Sequence, residues 1–451
     1  MDKIQEKLPQ KFVNNMKILL GEKFKSYEKA MHEDSVRGFR INPLKTDIQT
    51  FEKNFKYKSE LVPHEKYGRI LNTNEKIGNQ KEHMSGMIYF QEPSSMLVVS
   101  SIDWSGDEKV LDLCAAPGGK SSQVASYVQN GVIVSNEIVT ARSKILFSNI
   151  ERLGIRNSII LNDTPENISE KLHGFFDVVL VDAPCSGEGM FRKDPDTILE
   201  WSEDGIAFNA KRQLEILCFA DKCLKTGGRL VYSTCTFSEV EDEDVVLEFL
   251  SLHDYKVVEV RDECKIWTTH GTKIKEARRF FPFTGKGEGQ FVCVLEKNAD
   301  EEEFKTSKRL MPNFLKGKDR DIVTNFLNSN FEIPFKYELV CVRDEIMLVT
   351  QEMFKILPQK LNVLNAGVRI GNIEKGVLHP HHQLFSALGS FSKNKIHLTD
   401  DEYIKYIHGE ELEIDYGLKG YATVFIDEVS LGGGKCVIGR LKNMFPKGLR
   451  I

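Results

Sequence analysis

The sequence predicts an α/β protein: a doubly wound, mostly parallel, Rossmann-like sheet, with a small N-terminal α+β lobe and a C-terminal accessory α+β region. Three observations predict it. Between residues 110 and 252, apolar runs of strand length alternate with longer segments of helical period. Those runs end in small, acidic or glycine-rich residues, as do strands whose carboxyl ends face a ligand in an open α/β sheet. A chain of 451 residues is also too long for one core, so further domains are expected at its ends.

In chain order, residues 11–32 place Phe12, Met16, Leu19, Leu20 and Phe24 at helical spacing. Gly38-Phe39-Arg40-Ile41-Asn42-Pro43 reads as a strand closed by a turn, and the N-terminal lobe is expected to end near Asn79. Gln91-Glu92-Pro93-Ser94-Ser95 opens a helix, with Pro93 suited to its first turn. The alternation then begins with strand 110–113, helix 121–128, strand 131–135, helix 141–153 and strand 158–161. Strand 176–181 follows a short connector, then helix 206–224, strand 229–233, helix 242–252 and a closing strand 290–295. This sheet is expected to be complete by Lys297. Residues 298–303 are acidic and read as a linker. Beyond them, 331–349 offers short strands, 378–388 and 404–408 look helical, and 421–429 and 436–440 are strands around Gly432-Gly433-Gly434. The expected division is 1–80, 81–298, 304–375 and 376–451.

Composition excludes several classes. Hydrophobic content of 41% with 28% charged residues is that of a globular chain. No apolar run reaches membrane-span length, and Met1-Asp2-Lys3-Ile4-Gln5-Glu6-Lys7 is too polar for a secretory signal, so a cytoplasmic protein with no membrane partner is expected. Nine irregularly spaced cysteines read as reduced thiols. Cys218 and Cys223 share a helix with no second Cys/His pair to complete a zinc set, so no metal is expected. Nothing resembles a coiled coil, and a monomer is expected. A net charge of −5 does not mark a nucleic-acid binder. Three basic segments can still concentrate positive charge locally: 273–279, 305–318 and 440–450.

The chemistry gathers at strand ends. The run at 110–113 leads into Cys114-Ala115-Ala116-Pro117-Gly118-Gly119-Lys120, where two glycines let the backbone approach a ligand without a Cβ in the way. A nucleotide or sulfonium cofactor fits this position. A phosphate-binding P-loop does not, because it needs glycine where Cys114 stands, and Pro117 removes an N–H from the cradle. Glu137 ends the second strand and suits the two hydroxyls of a ribose. Asp163 ends the third and is placed for an adenine amino group; Asp182 ends the fourth. Each acid alone fits a helix N-cap as well, and the series carries the argument. Two thiols complete the set, Cys185 in Asp182-Ala183-Pro184-Cys185-Ser186-Gly187 and Cys235 in Ser233-Thr234-Cys235-Thr236. A cofactor loop with two thiols at neighbouring strand ends suggests covalent chemistry on an electron-poor ring. Phe280, Phe281 and Phe283, beside Arg278 and Arg279, offer either a stacking surface or core.

The loop at Cys114 through Lys120 and the two cysteine segments resemble the signature motifs of RNA cytosine-5 methyltransferases of the Sun/RsmF type. The likeness extends to Phe39-Arg40-Ile41-Asn42-Pro43-Leu44, Gln91-Glu92-Pro93-Ser94-Ser95 and Gly287-Glu288-Gly289. The tail, Arg440-Leu441-Lys442-Asn443 and Phe445-Pro446-Lys447-Gly448-Leu449-Arg450, resembles the accessory tail of the bacterial small-subunit ribosomal RNA enzymes. One departure is Phe283, where the family often has histidine after Phe-Pro.

The resemblance implies a methyltransferase fold, S-adenosylmethionine as cofactor and methylation of carbon 5 of a cytosine in RNA. It implies 16S ribosomal RNA or the small ribosomal subunit as partner, with 1–80 and a PUA-like 376–451 binding RNA. Cys235 would be the nucleophile and Cys185 would assist release; Asp182 would bind the base and Lys120 would stabilise the intermediate or lower a thiol pKa. Cys114, Ala115, Ala116, Pro117, Gly118, Gly119, Lys120, Glu137, Arg142, Asp163 and Asp182 would bind the cofactor. A stacked cytosine must be unpaired or flipped out to reach such a pocket. Transfer RNA as substrate, a DNA enzyme attacking through Cys185, and a non-catalytic ribosome-assembly factor are the alternative readings.

Overall fold

The computed structural model describes residues 8–72, 78, 80–298 and 311–450. Five parallel strands, Lys109–Asp112, Val132–Asn136, Ser158–Leu161, Phe176–Asp182 and Leu224–Thr234, form the heart of a ten-stranded sheet. The chain lays down the first three outward in one direction, then returns to place the last two on the other side of Lys109–Asp112. The crevice of an open α/β sheet lies where the order reverses, between Lys109–Asp112 and Phe176–Asp182. Helices cover both faces, so the strands are apolar throughout rather than alternating: Val110, Leu111, Ile133, Val134, Ile159, Ile160, Val179 and Leu180 are all fully buried. Gln290–Lys297 closes one edge antiparallel to Leu224–Thr234 and carries Tyr255–Val258 and Arg278–Phe280.

The sheet is not complete at Lys297. Val363–Ala366, from the accessory region, adds an antiparallel strand to the other edge by pairing with Ser158–Leu161. An exposed edge seeks a partner for its N–H and C=O groups, and here distant sequence supplies one. The connector before Phe176–Asp182 also holds more than a loop. Thr164 caps the helix Pro165–Lys171 through the Asn167 N–H, and Pro165 sits in its first turn.

The N-terminal lobe runs past residue 80. Its four-stranded sheet has the order Ser59–Val62, Glu65–Leu71, Gly38–Ile41, Ile88–Phe90, and the last strand pairs with Gly38–Ile41. The lobe's helices Gln10–Leu20 and Phe24–Ala30 bury Phe12, Met16 and Tyr27 against Phe191, Phe237 and Phe281 of the domain built on the ten-stranded sheet.

The C-terminal region holds two sheets. The division expected at 375/376 falls in the turn of a hairpin, since Val368–Glu374 pairs with Val377–Pro380. The stretch expected as a helix over 378–388 is therefore part strand, with the helix confined to His382–Leu388. The three glycines 432–434 lie inside the strand Val429–Val437 rather than between strands. A Cβ on Gly432 would meet His382, and one on Gly433 would meet Phe385, so the glycines let that helix press onto the sheet. The acidic stretch beyond Asn298 and the basic residues Lys305, Lys308 and Arg309 lie outside the described residues.

Candidate active site

The glycine loop leaves Lys109–Asp112 and enters the helix Gly119–Tyr127 through Gly118, whose φ of +109 favours glycine. A Cβ there would also lie 3.1 Å from Leu146 Cδ1. Buried Asp112 accepts from Ser121 Oγ at 2.6 Å, and burial pushes its carboxyl up to about 6. Arg142 donates to Ala116 O at 3.0 Å and lies 3.4 Å from the Glu137 carboxylate, so it ties the loop to the next strand end. Glu137 accepts the Val139 N–H. Asp163 accepts from Thr164 N and Asn167 Nδ2, and also from the backbone N–H of Asn362 in the accessory region at 2.9 Å.

On the other side of the crevice, Asp182 and Ser233 end adjacent strands. Asp182 accepts from Lys120 Nζ at 2.5 Å and Ser233 Oγ at 2.7 Å. Burial disfavours charge on Lys120, but the charge and hydrogen bond of Asp182 outweigh it, with Asp112 and Cys235 adding to the effect, and hold the ammonium above its usual value. Lys120 is therefore a fixed positive charge beside the thiols. Cys185 and Cys235 bring their sulfurs to 3.3 Å, and the Cys235 sulfur together with burial pushes the Cys185 thiol well above its ordinary range. Cys185 therefore keeps its proton.

The loops bearing these sulfurs are braced against each other. Gly189 N–H donates to Cys235 O at 2.9 Å, and Phe237 N–H to Glu188 Oε2 at 3.2 Å. Glu241 also accepts both the N–H and the hydroxyl of Ser186. Gly189 packs on Gly289 so closely that a Cβ would lie 2.6 Å from its Cα. A second brace, Arg192 with Glu288, is wholly buried, and Arg192 reaches on to Ala30 O of the N-terminal lobe.

This geometry accompanies likeness to known proteins. Residues 99–296 match the family model 16S rRNA methyltransferase RsmB/F, 8–93 the N-terminal domain of 16S rRNA methyltransferase RsmF, and 393–451 the methyltransferase RsmF PUA domain. The ribosomal RNA small subunit methyltransferase F of Vibrio parahaemolyticus is 32% identical across 92% of this chain and 91% of its own. The chain belongs to the RsmF methyltransferase family. The Shewanella piezotolerans relative of the same description is 30% identical across 98% and 97% of the two chains. Among solved structures, a methyltransferase homologue protein from Pyrococcus horikoshii is 30% identical with a TM-score of 0.58, covering 66% of this chain and 99% of that one.

The site residues expected from sequence lie at the strand ends or just beyond them, with Gly119 and Lys120 opening the helix Gly119–Tyr127 and Arg142 in the first turn of the helix Thr140–Arg152. The basic segment 273–279 does not form a charged face: Arg279 is buried between Asp242 and Glu243, Arg278 is buried, and Lys273 pairs with Asp244. Phe280 and Phe281 are core; Phe283 is half-buried. Sequence reasoning gave no role to Arg40, Glu92, Arg192, Glu241 or Glu288. Arg40, Glu92 and Glu288 stand in short motifs quoted for the family likeness, and that density was the available signal. Arg192 and Glu241 read as ordinary charges because their partners are distant in sequence.

Proposed function

We propose that the protein methylates carbon 5 of a cytosine in RNA, with 16S ribosomal RNA as substrate and S-adenosylmethionine as cofactor. The observation that carries this reading is the pair of thiols, sulfurs 3.3 Å apart, beside the Lys120–Asp182 ion pair. The relatives' description as small-subunit ribosomal RNA methyltransferases supports the substrate.

The residues suit the cofactor. Gly118 lets the loop turn at positive φ against Leu146, and carboxylates end consecutive strands around the loop, which favours a sulfonium cation and hydroxyl groups. The loop 114–119 with Glu137 and Asp163 would hold it, Arg142 fixing the loop. S-adenosylmethionine supplies an electrophilic methyl group.

Carbon 5 of cytosine is a weak nucleophile. Addition of the Cys235 sulfur to carbon 6 makes it enamine-like and able to take the methyl. Asp182, at the strand end three residues before Cys185, binds the base, and Lys120 offsets the negative charge that builds on the ring. Solvent water takes the carbon 5 proton, the electron pair of that C–H bond restores the double bond between carbons 5 and 6, and the carbon 6–sulfur bond breaks with its electrons on Cys235. Cys185, still a thiol, hydrogen-bonds the departing Cys235 sulfur and favours its leaving as an anion.

Incubation with labelled cofactor and RNA tests this. Cys235→Ser should bind cofactor yet transfer nothing. Cys185→Ala should accumulate a denaturant-resistant protein–RNA adduct. An adduct with Cys235→Ser in place of Cys185→Ala would exchange the roles, and label entering DNA but not RNA would reject the substrate.

A further inference from the structure

A ladder of phenylalanine rings leads from the Cys235 loop toward the surface. Phe237, two residues beyond Cys235, stacks on Phe281 with ring centroids 5.1 Å apart at 19°. Phe281 stacks on Phe283 at 5.4 Å and 16°. The first two rings are buried, which is reason enough for their being apolar; Phe283 is not. Phe281 and Phe283 line a cavity of about 530 Å³ between the end of the helix Gln10–Leu20 and the strand Arg278–Phe280. That volume is within the roughly 300–1,000 Å³ of sites for small ligands.

The charge of its wall is one-sided. Its cations are Lys23 and the buried Arg278, which line it beside the His270 ring, and among the described residues no carboxylate does. Lys23 and His270 are exposed. Arg278 is held by Thr268 Oγ1 at 2.9 Å, with its Nη1 2.9 Å from His270 Nδ1. Arg279 contributes position rather than charge. It neutralises Asp242 and Glu243, and its Nη1 donates to Phe237 O at 3.0 Å, which fixes the cavity floor to the loop of the nucleophile. Glu239 and Glu243, which approach from behind, are engaged by the Thr272 hydroxyl and N–H.

From the half-buried ring, the cationic wall and the rigid link to Cys235, we infer that this cavity receives an unpaired nucleotide flanking the target base. Its base stacks on Phe283 and its phosphate lies by Lys23. The inference rests on the RNA reading above and adds a subsite to it. Stacking tolerates any base because every base has a π face, so the subsite grips the strand without reading its sequence. Phe283 is accordingly a positioning residue: it holds the strand so that the neighbouring cytosine meets Cys235.

The test uses the full chain, naked small-subunit ribosomal RNA and labelled S-adenosylmethionine, comparing wild type with Phe283→Leu, Phe283→Trp and Lys23→Ala. Phe283→Leu should raise the KM for RNA by roughly five- to a hundredfold, the effect of losing one base–aromatic stack. Its affinity for S-adenosylmethionine, measured by calorimetry, should not move, and its thermal midpoint should fall only slightly, for the lost stack on Phe281. Phe283→Trp should restore most of the loss. Lys23→Ala should weaken RNA binding and make its salt dependence shallower by about one charge. If wild type methylates RNA and Phe283→Leu does so with unchanged KM, the subsite is wrong while the function stands. A loss that tracks the thermal midpoint and is not rescued by Trp makes Phe283 merely structural. A wild type that transfers no methyl to RNA overturns both readings.

Discussion

The N-terminal lobe reaches the glycine-loop side of the site with buried side chains, whereas the C-terminal region reaches it largely with main chain. Arg40, from the lobe strand Gly38–Ile41, is fully buried and donates to Gln91 Oε1 at 2.6 Å, Ser122 Oγ at 2.6 Å and Gly119 O at 2.9 Å. Asn42 holds Gly86 O and Leu153 O. From the other end of the chain, Val363–Ala366 pairs with Ser158–Leu161, and Asn162 and Asn362 exchange hydrogen bonds beside Asp163. A side-chain anchor demands one residue type. A main-chain anchor demands only a strand of the right length. The first kind leaves a motif in the sequence and the second does not.

The most drastic way to break this comparison is to remove the C-terminal region. A chain ending at residue 298 loses the edge strand beside Ser158–Leu161 and the Asn362 N–H that Asp163 accepts. It also strips Lys45 of the Ser386 and Ser430 oxygens that surround its amine. We expect aggregation, or a soluble fraction with little affinity for S-adenosylmethionine. A soluble monomer with full affinity by calorimetry would show that the main-chain anchor is dispensable.

Arg40→Ala tests the side-chain anchor. It leaves Gln91 Oε1 without its Arg40 donor and Gly119 O with Ser122 Oγ alone in a buried site, which should cost about 3 kcal/mol of stability by urea denaturation. Arg40→Lys should not restore it, because an ammonium cannot span three acceptors set for a planar fork. Full stability in Arg40→Lys would mean that charge alone is needed.

These anchors explain what was legible in the sequence. The parallel strands were, because each is a short run buried on both faces and ending in polar or glycine residues, as in Val110 through Cys114. So were the loop at Gly118, the carboxylates after it and the two cysteines. The edge strand at Val363 was not, since Val363-Leu364-Asn365-Ala366 carries no sign of which sheet it joins. Arg278 and Arg279 misled because composition cannot distinguish a solvated arginine from one buried between Asp242 and Glu243. The 432–434 glycines looked like a turn because the helix that requires them is distant in sequence.

Glu137→Ala probes the proposed cofactor pocket, which lies between the two anchors. Loss of a charged partner for the ribose should weaken S-adenosylmethionine binding roughly ten- to a hundredfold, with a smaller stability change from freeing Val139 N–H. Unchanged affinity by calorimetric titration would place the ribose elsewhere.

Lys45 joins the two attached regions directly, and it gives the comparison a pH dependence. Burial, with Arg152 and Arg156 nearby, pushes its amine down from an ordinary 10.5 to about 7. Between those values the unfolded chain binds a proton that the folded chain does not. Stability therefore rises with pH across the window and is weakest on its acid side. Lys45→Met should flatten that rise in urea midpoints taken at the two ends of the window. An unchanged slope would mean that the four surrounding oxygens keep Lys45 charged.

The smallest effect concerns what the C-terminal region does beyond anchoring. Lys442 lies on the strand Arg440–Asn443 and Lys447 on the short turn of helix after it, both exposed and remote in sequence from the anchoring strand. If each neutralises one RNA phosphate, Lys442→Glu and Lys447→Glu should each weaken RNA binding and make its dependence on log salt shallower by about one. Cofactor affinity and stability should stay at wild-type values, because neither lysine touches the interface at Val363 or Lys45. This separates the two duties of the region, which truncation removes together. A salt slope unchanged in both variants would leave the C-terminal region with the anchoring duty alone. Recognition of RNA would then fall to the N-terminal lobe and the cavity at Phe283, where Lys23→Ala should carry the change in slope.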